Sequence, residues 1–151
     1  RWNEQVSAWY DTIHDAWVET LGHYGCRTTR CSATDPQRES RFLCFERRAA
    51  GDLLFDGWKI GGSAQRRHRK AALQHGSLLL RRSASAPELP GIAELAENEL
   101  AESDWQETWI ARVGEQLQVR WQPGILTHQE RALTESLVTE KFGGSKWTLR
   151  R

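Results

Sequence analysis

The sequence has no methionine, two tyrosines, four phenylalanines and three cysteines in 151 residues. It also lacks any apolar run near the roughly 18 residues that a membrane helix needs, so no span is expected. Neither sign of charge dominates: 21 Lys and Arg stand against 20 Asp and Glu. A polyanion-binding surface would therefore have to be local, because the whole-chain field is weak. An odd cysteine count excludes a complete disulfide framework. Cys26 and Cys31 lie near His23, but a zinc site needs further ligands and none is apparent in the pattern. The expectation is reduced thiols in a cytoplasmic protein. The opening Arg1-Trp2-Asn3 resembles neither a signal peptide nor a trimmed small-residue terminus. With no Met at position 1, it reads as an excerpt whose upstream part is missing. The length suits one domain, and a hydrophobic content of 38% is enough for a core.

What is present begins with eight tryptophans. Val6, Trp9, Tyr10, Ile13, Trp17 and Leu21 recur at spacings of three and four, which predicts a helix over 3–22 with an apolar stripe facing a sheet. A short strand is expected over 26–31, then a polar loop over 32–40 and an apolar patch at Phe42-Leu43-Cys44-Phe45. Strands are expected over 52–55, from Trp58 onward, and over 71–80. Asp56-Gly57 is a hairpin signal, since both central residues of a type I′ turn need positive φ. Arg66, Arg67, His68, Arg69 and Lys70 would form the basic tip of the next hairpin. Trp105, Trp109, Ile110, Val113 and Leu117 mark another helix. Thr127 with Glu130 reads as a capping box, and Leu133, Leu137, Val138 and Phe142 as the buried face of the last helix. The order implies an α+β fold with helices packed on an antiparallel sheet.

Three features of residues 44–80 point to chemistry. Lys59 follows a hairpin turn and precedes Gly61-Gly62. Paired strand glycines suit a close approach of backbone or ligand, and an ammonium beside them can bind a carbonyl, carboxylate or phosphate. A bulge with a solvated lysine is the structural alternative. Gln74-His75-Gly76-Ser77 interrupts an apolar strand, so its polar groups need partners, either a core network or a site. Cys44 has Arg47 and Arg48 nearby, and cations favour the nucleophilic thiolate. A buried inert cysteine is the alternative.

The run Gly57-x-Lys59-Ile60-x-Gly62-Ser63-Ala64-Gln65-x-Arg67, followed by Leu73-Gln74-His75-Gly76-Ser77, resembles the catalytic domain of the biotin/lipoate protein ligase family. It looks most like lipoate–protein ligases and the octanoyltransferases that share their fold. The likeness covers nearly the whole chain. It implies a class II aminoacyl-tRNA synthetase/biotin synthetase-like fold, with residues 1–151 as the C-terminal portion of one lipoate/octanoate transferase-ligase catalytic domain. The family's basic residue and glycine-rich acyl-covering loop would lie upstream, leaving the pocket open on one side.

By resemblance, Lys59 contacts the acyl carbonyl or an acyl-adenylate phosphate. Gly61, Gly62, Ser63, Gln65, Gln74, His75, Gly76 and Ser77 are the substrate-binding candidates, and no metal ligand is assigned. Cys44-Phe45 matches the position of the acyl-enzyme cysteine in one transferase branch, although Arg47 to Gly51 lacks that branch's Pro-Ser. The implied function is transfer of a lipoyl or octanoyl group to a lysine of a lipoyl-type domain, with octanoyl-acyl carrier protein as donor and a Cys44 thioester as intermediate. That route needs no cofactor. The alternative is an ATP- and Mg-dependent lipoate–protein ligase without a cysteine nucleophile, and an amidotransferase moving lipoyl groups is a further family option. The expected partners are an acyl carrier protein, lipoyl-domain proteins including the glycine-cleavage H type, and lipoate or octanoate. No membrane or nucleic acid is expected. A non-catalytic homologue, or a module binding anionic partners through the 66–70 tip, is the reading from another class.

Overall fold

A computed structural model describes residues 2–34, 44–69, 71–96 and 104–149. The chain divides into two compact units, residues 1–120 and 121–151. No helix among the described residues is long and apolar enough to cross a membrane.

In the first unit, helix α1 (Trp2–His23) leads into strand β1 (Thr28–Arg30). Its periodic stripe explains its length, and Gly25, at φ +80, provides the left-handed residue that ends it. Strands β2 (Leu53–Phe55), β3 (Trp58–His68) and β4 (Ala71–Leu78) follow. All are antiparallel, in the order β1-β2-β3-β4. Asp56 and Gly57 both adopt positive φ in the β2–β3 turn, as their residue types predict. Helices α2 (Ile92–Leu95) and α3 (Asp104–Leu117) complete the unit.

The core joins Leu21 and Cys26 to Leu53, Ile60 and Ile92, all nearly inaccessible. Trp17 packs against this core, which includes Leu53 and Ile60 of the sheet, and it also meets α3. Its ring stacks on Trp109 of α3 at 4.5 Å and tilts against Trp105 at 5.3 Å. Aromatic pairs of this kind contribute about 0.5–1.5 kcal/mol each beyond their buried area. Trp9, by contrast, is exposed. Arg30 of β1 pairs with Asp11 and Asp15 of α1, which ties helix to sheet.

Strand β4 bears on the two readings left open for Gln74 to Ser77. It is mostly exposed, so His75, Gly76 and Ser77 are not buried within an apolar strand. Four strands leave β4 paired on one side only among the described residues.

In the second unit, helix α4 (His128–Leu137) runs into a π-helical turn over Val138–Phe142 and then the short helix α5 (Ser145–Thr148). Thr127 caps α4 as expected: its hydroxyl accepts from the Glu130 amide, and the Glu130 carboxylate accepts from the Thr127 amide. That amide holds the Glu130 carboxyl below its usual range. The predicted buried face does not form. Leu133, Leu137, Val138 and Phe142 are all exposed. A unit this short has too little chain to wrap its own apolar face.

Candidate active site

Lys59 is positioned by backbone irregularity as much as by sequence. Leu54 pairs with Lys59 but Leu53 pairs with Gly61, so Ile60 is an extra residue in β3. Strict alternation would place Lys59 and Gly61 on one face. The bulge shifts the phase, and Gly62 lies beneath the lysine stem instead. A Cβ on Gly62 would sit 2.6 Å from Asp52 Oδ1 and 3.1 Å from Lys59 Cε. The glycine therefore makes room for an ion pair. Gly61 makes room for core side chains, with Leu53 and Leu78 methyls 3.0 and 3.1 Å from where its Cβ would be. Gly76 is needed for strand approach, since a Cβ there would meet the Gly62 carbonyl at 2.5 Å.

The ion pair joins Lys59 Nζ to Asp52 Oδ2 at 2.7 Å, with both side chains largely buried. The same carboxylate oxygen accepts from the Ala49 amide at 2.7 Å. Lys59 Nζ also donates to the carbonyls of Cys44 and Arg47, at 3.2 and 3.1 Å. An ammonium has three N–H donors, and these partners use all three. Phe45 adds a cation–π contact at 5.7 Å. Lys59 is thus no solvated bulge residue; it clamps the 44–47 segment onto the sheet.

Cys44 is exposed, whereas Cys26 and Cys31 are buried, and none of the three is in a disulfide. Burial pushes the Cys26 thiol up, toward its protonated form. No cluster of three or more His, Cys, Asp or Glu suited to a metal ion occurs among the described residues. Cys44 and Lys59 line one cavity of about 510 Å³. Of the other candidates, Gly62, Ser63, His75, Gly76 and Ser77 also line it. Gly61, Gln65 and Gln74 do not. Arg47 and Arg48 line it as well, and the Arg48 guanidinium donates to the Gly57 carbonyl.

A second cavity of about 290 Å³ lies against α1 and α3, lined by Trp17, Trp109, His14 and Gln74 among others. Here the structure adds residues that pattern reading did not single out. His14 is buried, with Nδ1 2.5 Å from the Gly51 carbonyl and Nε2 2.6 Å from Ser63 Oγ. Gln74 Nε2 donates to the same Oγ at 3.0 Å. A carbonyl only accepts, so a neutral His14 carries its proton on Nδ1 and Nε2 accepts from the Ser63 hydroxyl. Burial holds the imidazole below its usual pKa of 6.5, although the Gly51 bond opposes the shift. Ser63 therefore spends its hydroxyl away from Cys44. The signal in the sequence was a histidine inside the apolar stripe between Tyr10 and Trp17. Asp52 was also missed; its signal was a lone carboxylate at the start of an apolar strand.

The model of the lipoyl protein ligase A/B catalytic domain matches residues 1–113. The octanoyltransferase LipM of Brevibacillus brevis is 29% identical over 129 residues, 72% of this chain and 47% of that protein. The octanoyltransferase LipM of Symbiobacterium thermophilum is 29% identical over 142 residues, 78% of this chain and 52% of that protein. This chain spans about half the length of these curated relatives. Among solved structures, a lipoate-protein ligase A bound with ATP superposes with a TM-score of 0.70 at 18% identity, over 94% of this chain and 58% of its own. A T. acidophilum lipoate protein ligase structure with lipoic acid gives a TM-score of 0.69 at 20% identity, with the same coverage. These structures share the α+β fold. On the strength of the family match, this chain belongs to the lipoyl protein ligase A/B catalytic domain family.

Proposed function

We propose that the cavity shared by Cys44 and Lys59 performs octanoyl or lipoyl transfer to a lysine of a lipoyl-type domain, through a Cys44 thioester. The observation that carries this reading is the exposed Cys44 on the same cavity as the Lys59 ammonium, which donates to the Cys44 backbone carbonyl. The similarity to octanoyltransferases LipM supports an octanoyl thioester as donor.

Cys44 thiolate attacks the donor's thioester carbon. The donor C–S bond breaks, and the leaving thiolate takes up the proton that Cys44 released. The neutral amine of the acceptor lysine then attacks the Cys44 thioester. The new C–N bond forms, the C–Sγ bond breaks, and the amine proton goes to the departing thiolate. Thioester exchange is nearly isoenergetic and amide formation is downhill, so no ATP is consumed. Covalent catalysis splits the transfer into two easier steps. Lys59 stabilises the oxyanion of each tetrahedral intermediate, the substrate oxygen replacing one of the two loop carbonyls on Nζ.

Incubation with an octanoyl-loaded carrier domain, followed by intact-mass measurement, tests this. The expected result is one octanoyl adduct, labile to neutral hydroxylamine and absent in Cys44→Ala. No adduct, or an adduct retained in Cys44→Ala, overturns it. Lipoate-stimulated pyrophosphate exchange that survives Cys44→Ala would instead establish an ATP-dependent ligase.

A further inference from the structure

Charge along this chain is sharply segregated. Residues 57–87 hold seven of the 21 Lys and Arg and none of the 20 Asp and Glu. The rest of the chain is correspondingly net negative. Most of this segment is the β3–β4 hairpin, and Arg66, Arg67, His68 and Arg69 are exposed at its far end. Lys70 lies outside the described residues. Arg67 donates to Ser7 of α1 and to Gln65, so it braces the hairpin. Arg66 and Arg69 are the cations presented outward.

We propose that this end of the hairpin docks the acidic face of a phosphopantetheine-bearing carrier domain, the acyl donor. The proposal rests on the acyl-transfer reading given above. Three observations favour this partner. First, Leu73, 62% exposed, pairs directly with Arg66, so apolar surface and cation share one face. Such a mixed surface suits an amphipathic acidic helix. A single-stranded nucleic acid would call for aromatic platforms, and residues 66–74 contain no Phe, Tyr or Trp. Second, Arg69 occupies a left-handed position, φ +52, which favours Gly or Asn. The other hairpin places Asp56-Gly57 in its turn. A cation thus stands at the tip in a backbone conformation that favours another residue.

Third, the distance fits a long-armed donor. His68 lies six residues beyond Gly62 on β3, about 20 Å of extended strand. An acyl group on a phosphopantetheine arm spans such a gap while the carrier body stays at the tip. An acceptor lysine has only its short stem, so its domain must come up to the cavity mouth. Opposite charges at the tip would raise the encounter rate and orient the arm toward Cys44.

Binding of the carrier domain in its unacylated phosphopantetheine form is measured by fluorescence anisotropy, with no acyl transfer required. Arg66→Glu with Arg69→Glu is expected to weaken binding about tenfold, and added salt to weaken wild-type binding likewise. Arg120→Glu, on exposed chain elsewhere, is the control and should change it less than about twofold. In kinetics, the double variant should raise KM for the octanoyl-carrier about tenfold with kcat held, and leave octanoyl-pantetheine unaffected. Unchanged carrier binding overturns the proposal. So does an equal loss with octanoyl-pantetheine, or tighter tip-dependent binding of a single-stranded oligonucleotide. If neither donor acylates Cys44 while the tip-dependent binding remains, the acyl-transfer reading fails and the docking surface stands.

Discussion

Strand β3 holds a polar cluster on each side, and the two are built differently. Gly62 faces the Asp52–Lys59 pair, and its neighbour Ser63 faces His14 and Gln74. The first cluster is charged and borders the cavity with exposed Cys44. Two of its bonds go to carbonyls of an adjacent loop segment, which a substrate oxygen can replace. The second cluster is neutral, and its donors and acceptors match one another. A charged pair at a cavity wall can offer its ammonium to a substrate oxygen, in keeping with the proposed transfer. A neutral, fully matched network points to holding the strand in place.

Removing Lys59 should separate the two clusters most strongly. In Lys59→Ala, the rate of Cys44 acylation is expected to fall about 10²–10³-fold. Asp52 would be left buried without its cation, which costs about 3–5 kcal/mol in urea denaturation. Asp52→Asn combined with Lys59→Met should recover most of that stability and none of the activity. Recovered activity would reduce Lys59 to a structural clamp.

Gly62→Ala tests the same side through space alone. Its Cβ collides with Asp52 Oδ1, so about 1–3 kcal/mol of stability and part of the acylation rate should be lost. Wild-type stability would show that the ion pair can move away freely.

The smallest effect is expected across the strand. His14→Asn should cost about 1–2 kcal/mol and leave acylation at neutral pH nearly unchanged. Its signature is in the pH dependence. The folded pKa of His14 lies below 6.5, so the unfolded chain takes up a proton first as pH falls. The stabilisation is complete above about 6.5 and declines as pH drops from there through the lowered folded value. Denaturation midpoints measured across this range should slope in the wild type and flatten in His14→Asn. A slope retained in the variant assigns the titration elsewhere.

Much of the architecture was legible along the chain. The stripe from Tyr10 to Leu21, the Asp56-Gly57 turn and the Thr127–Glu130 cap are local codes, each written within a few residues. Lys59 beside paired glycines was legible for the same reason. The expected buried face of α4 failed because periodicity reports which side of a helix is apolar, not whether anything covers it. Whether His75 and Ser77 join a core network or a cavity was not legible for the same reason: the pattern of a strand does not report what covers its faces. The apolar patch at Phe42 and Leu43 lies outside the described residues, as do most of the 32–40 loop and Lys70.

The sequence by itself determined the element types, the antiparallel meander, the family motif and the segregation of charge onto one hairpin. These depend on neighbours in the chain. Tertiary structure alone decided that Gly62 rather than Gly61 lies under Lys59, because a bulge is a mismatch between two strands and belongs to neither. It also decided that Asp52 partners Lys59, and that His14 reaches Ser63 across 49 residues. A buried polar group must find a partner wherever the fold provides one, and sequence separation carries no information about which partner that is.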